Sequence, residues 1–288
     1  MSGRLLVTGG TGFIGSHLLP HLVDAGYELV VTVRSVSRLN KLPQSEKITL
    51  FNLESDSFPE LFCDRDIIGT IHMATEYGKK DLNFHKMLGA NLELPLEILK
   101  HGASSMRFFI NTHTCVGTNY DLYAMTKAGF FEMSRYFADN YDLSMIHLRL
   151  EYVYGSKDDT SKFLPLVMSN MKHGLITPAS LGEQRRDFVH IDDVVEAYLA
   201  TLKHYGRIGP GLHEYHIGTG IATTLKEMVS VLEDISGTKS LVEWGKYQYK
   251  KNEVFHPDMD LEPARKDLDW KAKISLRQGL EKTWSEEV

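Results

Sequence analysis

Tyr123 and Lys127 stand four positions apart in Leu122-Tyr-Ala-Met-Thr-Lys127, and Tyr123 follows Thr112 by eleven residues. Four residues is about one helical turn, so the phenol and the ammonium share a face. A cation held near a phenol favours the phenolate, lowering a pKa that is about 10 in water toward the working pH. Thr112 ends the apolar run Arg107-Phe-Phe-Ile-Asn-Thr112, and its hydroxyl can bond the substrate oxygen that Tyr123 protonates. The chemistry that this set can perform is proton delivery to an oxygen on which negative charge is forming.

Such a set works only where strands and helices hold it in place. Arg4-Leu-Leu-Val-Thr-Gly-Gly-Thr-Gly-Phe-Ile-Gly-Ser-His17 reads as strand, tight turn and helix. Leu5, Leu6 and Val7 form a short run buried on both faces, as the first strand of a parallel sheet requires. Gly9 permits the sharp reversal, Gly12 lets a pyrophosphate approach the backbone, and Gly15 lets the helix pack on the strand. The helix start at Phe13 and Ile14 presents free N–H groups and the positive dipole end to the phosphates. Pro20 falls inside this helix, where it lowers stability.

Glu28-Leu-Val-Val-Thr-Val-Arg34 is a β-branched second strand. An acidic residue at its end would bond a ribose 2′-hydroxyl; this chain offers Arg34, Ser35 and Arg38. Guanidinium and hydroxyl groups suit a 2′-phosphate, which favours NADPH over NADH, the alternative for Arg34 being a solvated loop arginine. A third strand ends at Asn52, which with Leu53 lies beside the adenine. The fourth strand, Ile67–Met73, leads into Ala74-Thr75-Glu76-Tyr77 at the carboxyl end of the sheet, where open α/β folds place ligands. Within a helix expected from Asp81 to Leu99, Asn91 either touches cofactor or the active-site loop, or makes a structural bond. His72 reads as a core-edge residue.

The bulk composition sets outer limits. With 288 residues, 42% hydrophobic and 24% charged, the chain is long enough for one large α/β domain and a smaller lobe. A net charge of −6 argues against nucleic-acid binding. Cys63 and Cys115 are too few and too far apart for a disulfide framework or a metal cage, so no metal is expected and a reduced cytoplasm fits best. No leader and no 18-residue apolar stretch occur, which points to an unprocessed protein with no membrane partner.

Taken together, the Gly9–Gly15 turn, Thr112, Tyr123 and Lys127 resemble the extended short-chain dehydrogenase/reductase (NAD-dependent epimerase/dehydratase) family, whose members modify nucleotide sugars with NAD(P). More narrowly, Ile71-His-Met-Ala-Thr-Glu-Tyr-Gly78, Arg149-Leu-Glu-Tyr-Val-Tyr-Gly155 and Lys162-Phe-Leu-Pro165 resemble the CDP-abequose and CDP-paratose synthases, which reduce a 4-keto sugar on CDP. The resemblance implies a Rossmann-type doubly wound parallel sheet over 1–155, with 188–205 returning to it, and a smaller mixed α/β substrate lobe over 156–288. It further places Lys127 on the nicotinamide ribose, with Met73, Ala74, Thr75, Leu150 and Val153 beside the cofactor. Glu76, Tyr77, Glu151, Lys162 and Phe163 fall beside the substrate. Arg186 contacts the substrate pyrophosphate, unless it pairs with Asp187 or Asp192. Lys250 occupies the place where many relatives supply a second phosphate-binding arginine.

The residues after Thr112 separate the family's reactions. Dehydratases carry an Asp-Glu pair there, because eliminating water needs an acid and a base; this chain has His113 and Thr114 beside the substrate, with His113 either replacing the acid or orienting the loop. The expected activity is therefore NADPH-dependent reduction of the C4 ketone of a nucleotide-linked 4-keto-6-deoxy or 3,6-dideoxy sugar for surface polysaccharide. CDP is favoured, with dTDP, UDP and GDP left open. Two other readings stay open: a 4-epimerase with tightly held NAD, and a non-catalytic cofactor-binding protein. The helices at 81–99 and 123–141 suggest a homodimer, as the family forms.

Overall fold

The computed structural model describes residues 3–34, 36–64, 66–78, 83–118, 120–255, 257 and 259–287. Two compact units emerge: Met1–Arg149 with Tyr198–Tyr215, and Leu150–Ala197 with His216–Val288. The first unit thus takes in the later segment 198–215 as well as 1–149. The reason is a late strand that joins the first unit's sheet and brings the second half of a long helix with it.

In chain order the first unit contains β1 (Arg4–Thr8), α1 (Phe13–Asp24), β2 (Glu28–Val33), β3 (Ile48–Asn52), α2 (Phe58–Asp64) and β4 (Ile67–His72). Next come α3 (Phe84–Leu88), a π-helical turn (Gly89–Glu93), α4 (Leu94–Gly102), β5 (Phe108–Thr114), α5 (Leu122–Asn140) and β6 (Ser144–Leu150). The second unit adds β7 (Tyr152–Tyr154), α6 (Phe163–His173), β8 (Ile176–Pro178) and β9 (Arg185–His190). After α7 (Ile191–Ile208) and β10 (Gly211–Ile217) follow β11 (Ala222–Thr224), α8 (Leu225–Ser236), β12 (Leu241–Glu243), α9 (Glu262–Leu268) and α10 (Leu276–Glu287).

Seven strands form one sheet in the order β10-β6-β5-β4-β1-β2-β3. β1 pairs in parallel with β2 on one side and with β4 on the other. The chain therefore reverses its direction of travel across the sheet at β1, and the carboxyl ends of β1 and β4 diverge into the crevice where such sheets bind ligands. Leu5, Leu6 and Val7 have no solvent exposure. Each such fully buried aliphatic side chain stabilises by roughly 1.5–3 kcal/mol. Leu6, Val30, Ile98, Leu99, Phe109, Phe130, Leu143 and Met145 share one core cluster. α1 runs through Pro20, and nothing in the structure explains a proline there.

Three local differences from the sequence reading bear on the site. β5 continues to Thr114, so Thr112 lies within the strand and Thr114 ends it. The segment after residue 82 forms α3, the π-helical turn and α4 in place of one regular helix. Arg185 and Arg186 are the first residues of β9 itself.

In the second unit β7 pairs in parallel and β11 antiparallel with β9, while β8 and β12 pair separately. Tyr154, Leu164, Val167, Phe188, Met228, Leu232 and Leu280 make its core. The reciprocal cap of α8, between Thr224 and Glu227, forms as the sequence pattern indicates. Asp193 anchors the tail: its carboxylate accepts from the backbone N–H groups of Lys273 and Ile274, and its carbonyl accepts from the Trp270 indole. Leu268, Trp270 and Leu280 are buried and Leu276 packs against the same core, so this stretch is structural.

Candidate active site

The turn after β1 is shaped for close backbone approach. Gly9 adopts φ +73°, a left-handed conformation that only glycine enters freely. A Cβ on Gly9 would lie 2.5 Å from the Ala74 nitrogen, and one on Gly15 would lie 2.4 Å from the Gly9 oxygen. The Gly12 N–H closes the turn onto the Gly9 carbonyl at 2.9 Å. α1 starts at Phe13 behind Gly12 with no side-chain cap, so the positive end of its dipole faces the glycine turn. Thr8 Oγ1 accepts from the N–H groups of Met73 and Ala74, both at 3.2 Å, and ties the exit of β4 to this turn. These features fit a dinucleotide pyrophosphate. Arg34 is exposed at the end of β2; Ser35 and the Arg38 side chain lie outside the described residues. Asn52 Oδ1 caps the Glu54 N–H, and Leu53 packs against the first unit's core.

Tyr123 opens α5 behind Asp121, whose carboxylate caps the Ala124 N–H at 2.9 Å. The neighbouring hydroxyls that favour ionisation of the Tyr123 phenol are those of Thr114 and Thr75. Thr112 is engaged elsewhere: its Oγ1 donates to the His72 carbonyl at 2.9 Å and bonds the buried Tyr198 hydroxyl at 2.5 Å. Strand alternation explains the pairing, because Thr112 and Thr114 point to the same face of β5 and the later one lies nearer its carboxyl end. Thr112, expected at the phenol, is thus held by His72 and Tyr198, and Thr114 is the β5 hydroxyl that acts on Tyr123. Thr75, expected beside the cofactor, donates to Asn91 Oδ1 and also acts on the phenol.

The expected pairing of ammonium and phenol is not what governs Tyr123. Burial, followed by the nearby Tyr77 phenol, pushes the Tyr123 hydroxyl well above its ordinary range, against the lowering bonds from Thr114 and Thr75. The Tyr77 and Tyr123 rings stand 4.7 Å apart. Lys127 is 2% exposed, and burial lowers it to about 7. Its charge acts on His72 and His147, both of which burial holds well below the usual imidazole range. His72 is not at the core edge but wholly buried, with Nδ1 2.8 Å from Thr8 Oγ1. His147 spans Asn111 at 3.0 Å and Ser134 at 2.9 Å. Sequence reasoning missed His147, Ser134 and Tyr198, because their roles depend on which strand or helix face meets α5 and β5.

Asn91 is buried on the π-helical turn and serves the loop after β4. Its Oδ1 accepts from Thr75 Oγ1 at 3.1 Å and the Glu76 N–H at 2.9 Å, while its Nδ2 donates to the Glu76 carbonyl and to Thr126 Oγ1. Thr126 in turn donates to the Tyr123 carbonyl at 2.8 Å. One side chain thus fixes both the loop and the first turn of α5. His113 is corrected as well. As the residue between Thr112 and Thr114 it points to the other face, where it stacks on Phe131 at 5.6 Å and lies 3.7 Å from Glu214.

In the second unit the candidate substrate residues are mostly partnered within the chain. Arg186 bonds the Glu253 carboxylate and the carbonyls of Arg185 and Val254, in place of either aspartate considered from sequence. Lys162 pairs with Asp158 at 2.8 Å, and the Phe163 ring faces Trp244 at 6.1 Å. Lys250 is exposed. Leu150 ends β6, and Val153 in β7 pairs with Val189. Glu151 is buried, with His216 3.7 Å from its carboxylate. Asp187 is fully buried; its carboxylate accepts from Thr219 Oγ1 and the Gly220 N–H, and burial raises its pKa.

Among the described residues no helix is long and apolar enough to cross a membrane. Comparison with known proteins supplies the context. A family model described as NAD dependent epimerase/dehydratase matches residues 5–218. The CDP-abequose synthase of Salmonella typhimurium is 33% identical over 293 residues, covering 96% of each chain. That of Salmonella muenchen is 30% identical over 98% of this chain and 97% of its own. Among solved structures, MoeE5 in complex with UDP-glucuronic acid and NAD superposes with a TM-score of 0.84 at 25% identity, covering 99% of both chains.

Proposed function

Because this chain belongs to the NAD dependent epimerase/dehydratase family, we propose that it is a reductase: it uses NADPH to reduce the C4 ketone of a nucleotide-linked 4-keto-6-deoxy or 3,6-dideoxy sugar, with CDP as the favoured nucleotide. The Gly9–Gly15 turn and the first amides of α1 would hold the pyrophosphate, and Arg34 with Arg38 the 2′-phosphate. When bound, NADPH supplies the hydride. Tyr123 gives its proton to the forming alkoxide, and Thr114 orients the ketone oxygen toward it. Lys127 holds the cofactor ribose. In the second unit, Arg186 exchanges the Glu253 carboxylate for the substrate diphosphate, a more highly charged partner that a guanidinium can bind through two bonds.

One observation carries this reading: among the described residues, the groups that set the acidity of the Tyr123 phenol, besides its burial, are Tyr77, Thr114, Thr75 and Cys115, with no carboxylate in the set. That arrangement suits a single proton donation and leaves out the acid and base pair of a dehydration. Full-length similarity to CDP-abequose synthases favours reduction and CDP.

The test is a panel of 4-keto nucleotide sugars assayed with NADPH and with NADH. Oxidation of NADPH by the CDP-linked 4-keto sugar is the expected result. Protein that purifies with non-dialysable NAD and interconverts two sugars without added coenzyme would instead be an epimerase.

A further inference from the structure

The chain that neutralises Arg186 also carries an aromatic ring to its side. The Val254 carbonyl accepts from the Arg186 guanidinium, and the Phe255 carbonyl accepts the Arg185 N–H at 3.1 Å, so residues 253–255 run bonded along the start of β9. The Phe255 side chain therefore leaves the main chain one residue from the carbonyl that holds the guanidinium. We infer that the Phe255 ring, backed by Tyr249, is the shelf on which the base of the nucleotide sugar stacks. This inference rests on the reading of Arg186 as the residue that binds the diphosphate.

The ring is both open and fastened. Phe255 is 41% exposed, yet it meets the Tyr249 ring edge to face, with centroids 4.9 Å apart and planes at 75°. Tyr249 is pinned in turn, because its hydroxyl accepts the Glu183 N–H at 3.1 Å. Both residues are thus tied to 183–185, the stretch that leads Arg186 into β9. Two other large rings nearby are placed differently. Trp244 is covered: a Cβ on Gly182 would lie 2.3 Å from its ring, and Phe163 faces it at 6.1 Å. Tyr247 is 59% exposed, but its N–H bonds the Ala179 carbonyl at 3.1 Å, which ties it to β8's exit and not to the arginine.

An exposed aromatic surface beside a cation suits a ligand that is flat at one end and anionic at the other. In a nucleotide sugar one ribose joins the base to the diphosphate, so a diphosphate on Arg186 leaves the base within a single ribose's reach of that guanidinium. Every base has a π face, and an aromatic ring therefore adds affinity without choosing among bases. Phe255 separates a nucleoside diphosphate from a bare diphosphate, and the choice of nucleotide falls to other groups.

The test is calorimetric titration of the full chain, without cofactor, against CDP, UDP, GDP and inorganic pyrophosphate. Phe255→Ala weakens binding of the three nucleotides about thirtyfold and leaves pyrophosphate affinity unchanged, which also shows that the variant is folded. Phe255→Leu, apolar but without a π face, loses about tenfold, and Phe255→Trp stays within about threefold of wild type. Tyr247→Ala binds all four ligands as the wild type does. Unchanged nucleotide affinity in Phe255→Ala overturns the inference. An equal loss for pyrophosphate overturns it too, because the ring would then only support Arg186. Wild-type protein that binds CDP no more tightly than pyrophosphate has the same consequence. If the protein binds CDP but reduces no 4-keto nucleotide sugar, the reductase reading fails on its own, and the comparison with pyrophosphate still decides the role of Phe255.

Discussion

The surroundings of Tyr123 and those of Arg186 are built on opposite principles. The phenol stands beside the Tyr77 ring, and its acidity follows burial and neutral neighbours, Tyr77, Thr114 and Thr75 among them. Arg186, by contrast, is charge-matched: the partly buried guanidinium holds the buried Glu253 carboxylate and two backbone carbonyls. A reactive group surrounded by neutral partners keeps its proton until substrate arrives. A binding cation already paired with a carboxylate exchanges one anion for another and avoids standing uncompensated.

The largest expected effect tests the neutral side of this contrast. Tyr123→Phe should lower turnover on the order of 10³-fold while NADPH binding, followed by fluorescence titration, stays at the wild-type level. Surviving turnover would show that the proton comes from another group.

Next is Lys127, whose folded pKa of about 7 lies below the unfolded value of 10.5. Between those values the unfolded chain binds more protons, so stability rises with pH across that window, and the burial penalty is fully present below it. Relative to Lys127→Met, wild-type unfolding free energy should climb by roughly 3 kcal/mol between pH 7 and pH 10. Denaturant melts of the pair at several pH values measure this. Parallel curves would mean that the ammonium is paired or solvated.

On the charged side, Glu253→Gln should lower KM for the nucleotide sugar about threefold and steepen its salt dependence, because Arg186 no longer has to release a carboxylate. The same change should cost about 1 kcal/mol or more of stability. A raised KM would assign Glu253 to the substrate instead.

The smallest contrast is between two threonines on one strand face. Thr114→Val should reduce kcat about tenfold, and Thr112→Val only about twofold with a stability loss of about 1 kcal/mol from the severed Tyr198 bond. The reverse order would restore Thr112 as the partner of Tyr123.

Much of the first unit was legible because it follows local rules. Leu5–Val7, the Gly9–Gly15 turn and the Tyr123-to-Lys127 spacing each encode a strand, a reversal or a helix face within a few residues. What was not legible depended on register and on distant partners. Two more residues of strand at the end of β5 decided that Thr114 meets Tyr123, and alternation carried His113 to the opposite face. The Lys127 environment depends on His72 from β4 and His147 from β6, which no spacing links to α5. Glu253 lies 67 positions from Arg186, farther than the neighbouring aspartates that the sequence suggests.

The π-helical turn at Gly89–Glu93 has a consequence for how this protein can be altered. Such a turn holds one residue more than the regular helix on either side, and these bulges recur at working sites. Excising a single amino acid there would restore regular winding and swing the Asn91 amide by roughly 100° around the axis. The chain would lose less than half a per cent of its length yet release the loop carrying Thr75, which makes that one surplus residue a natural point for retuning the enzyme without touching any group that meets the sugar.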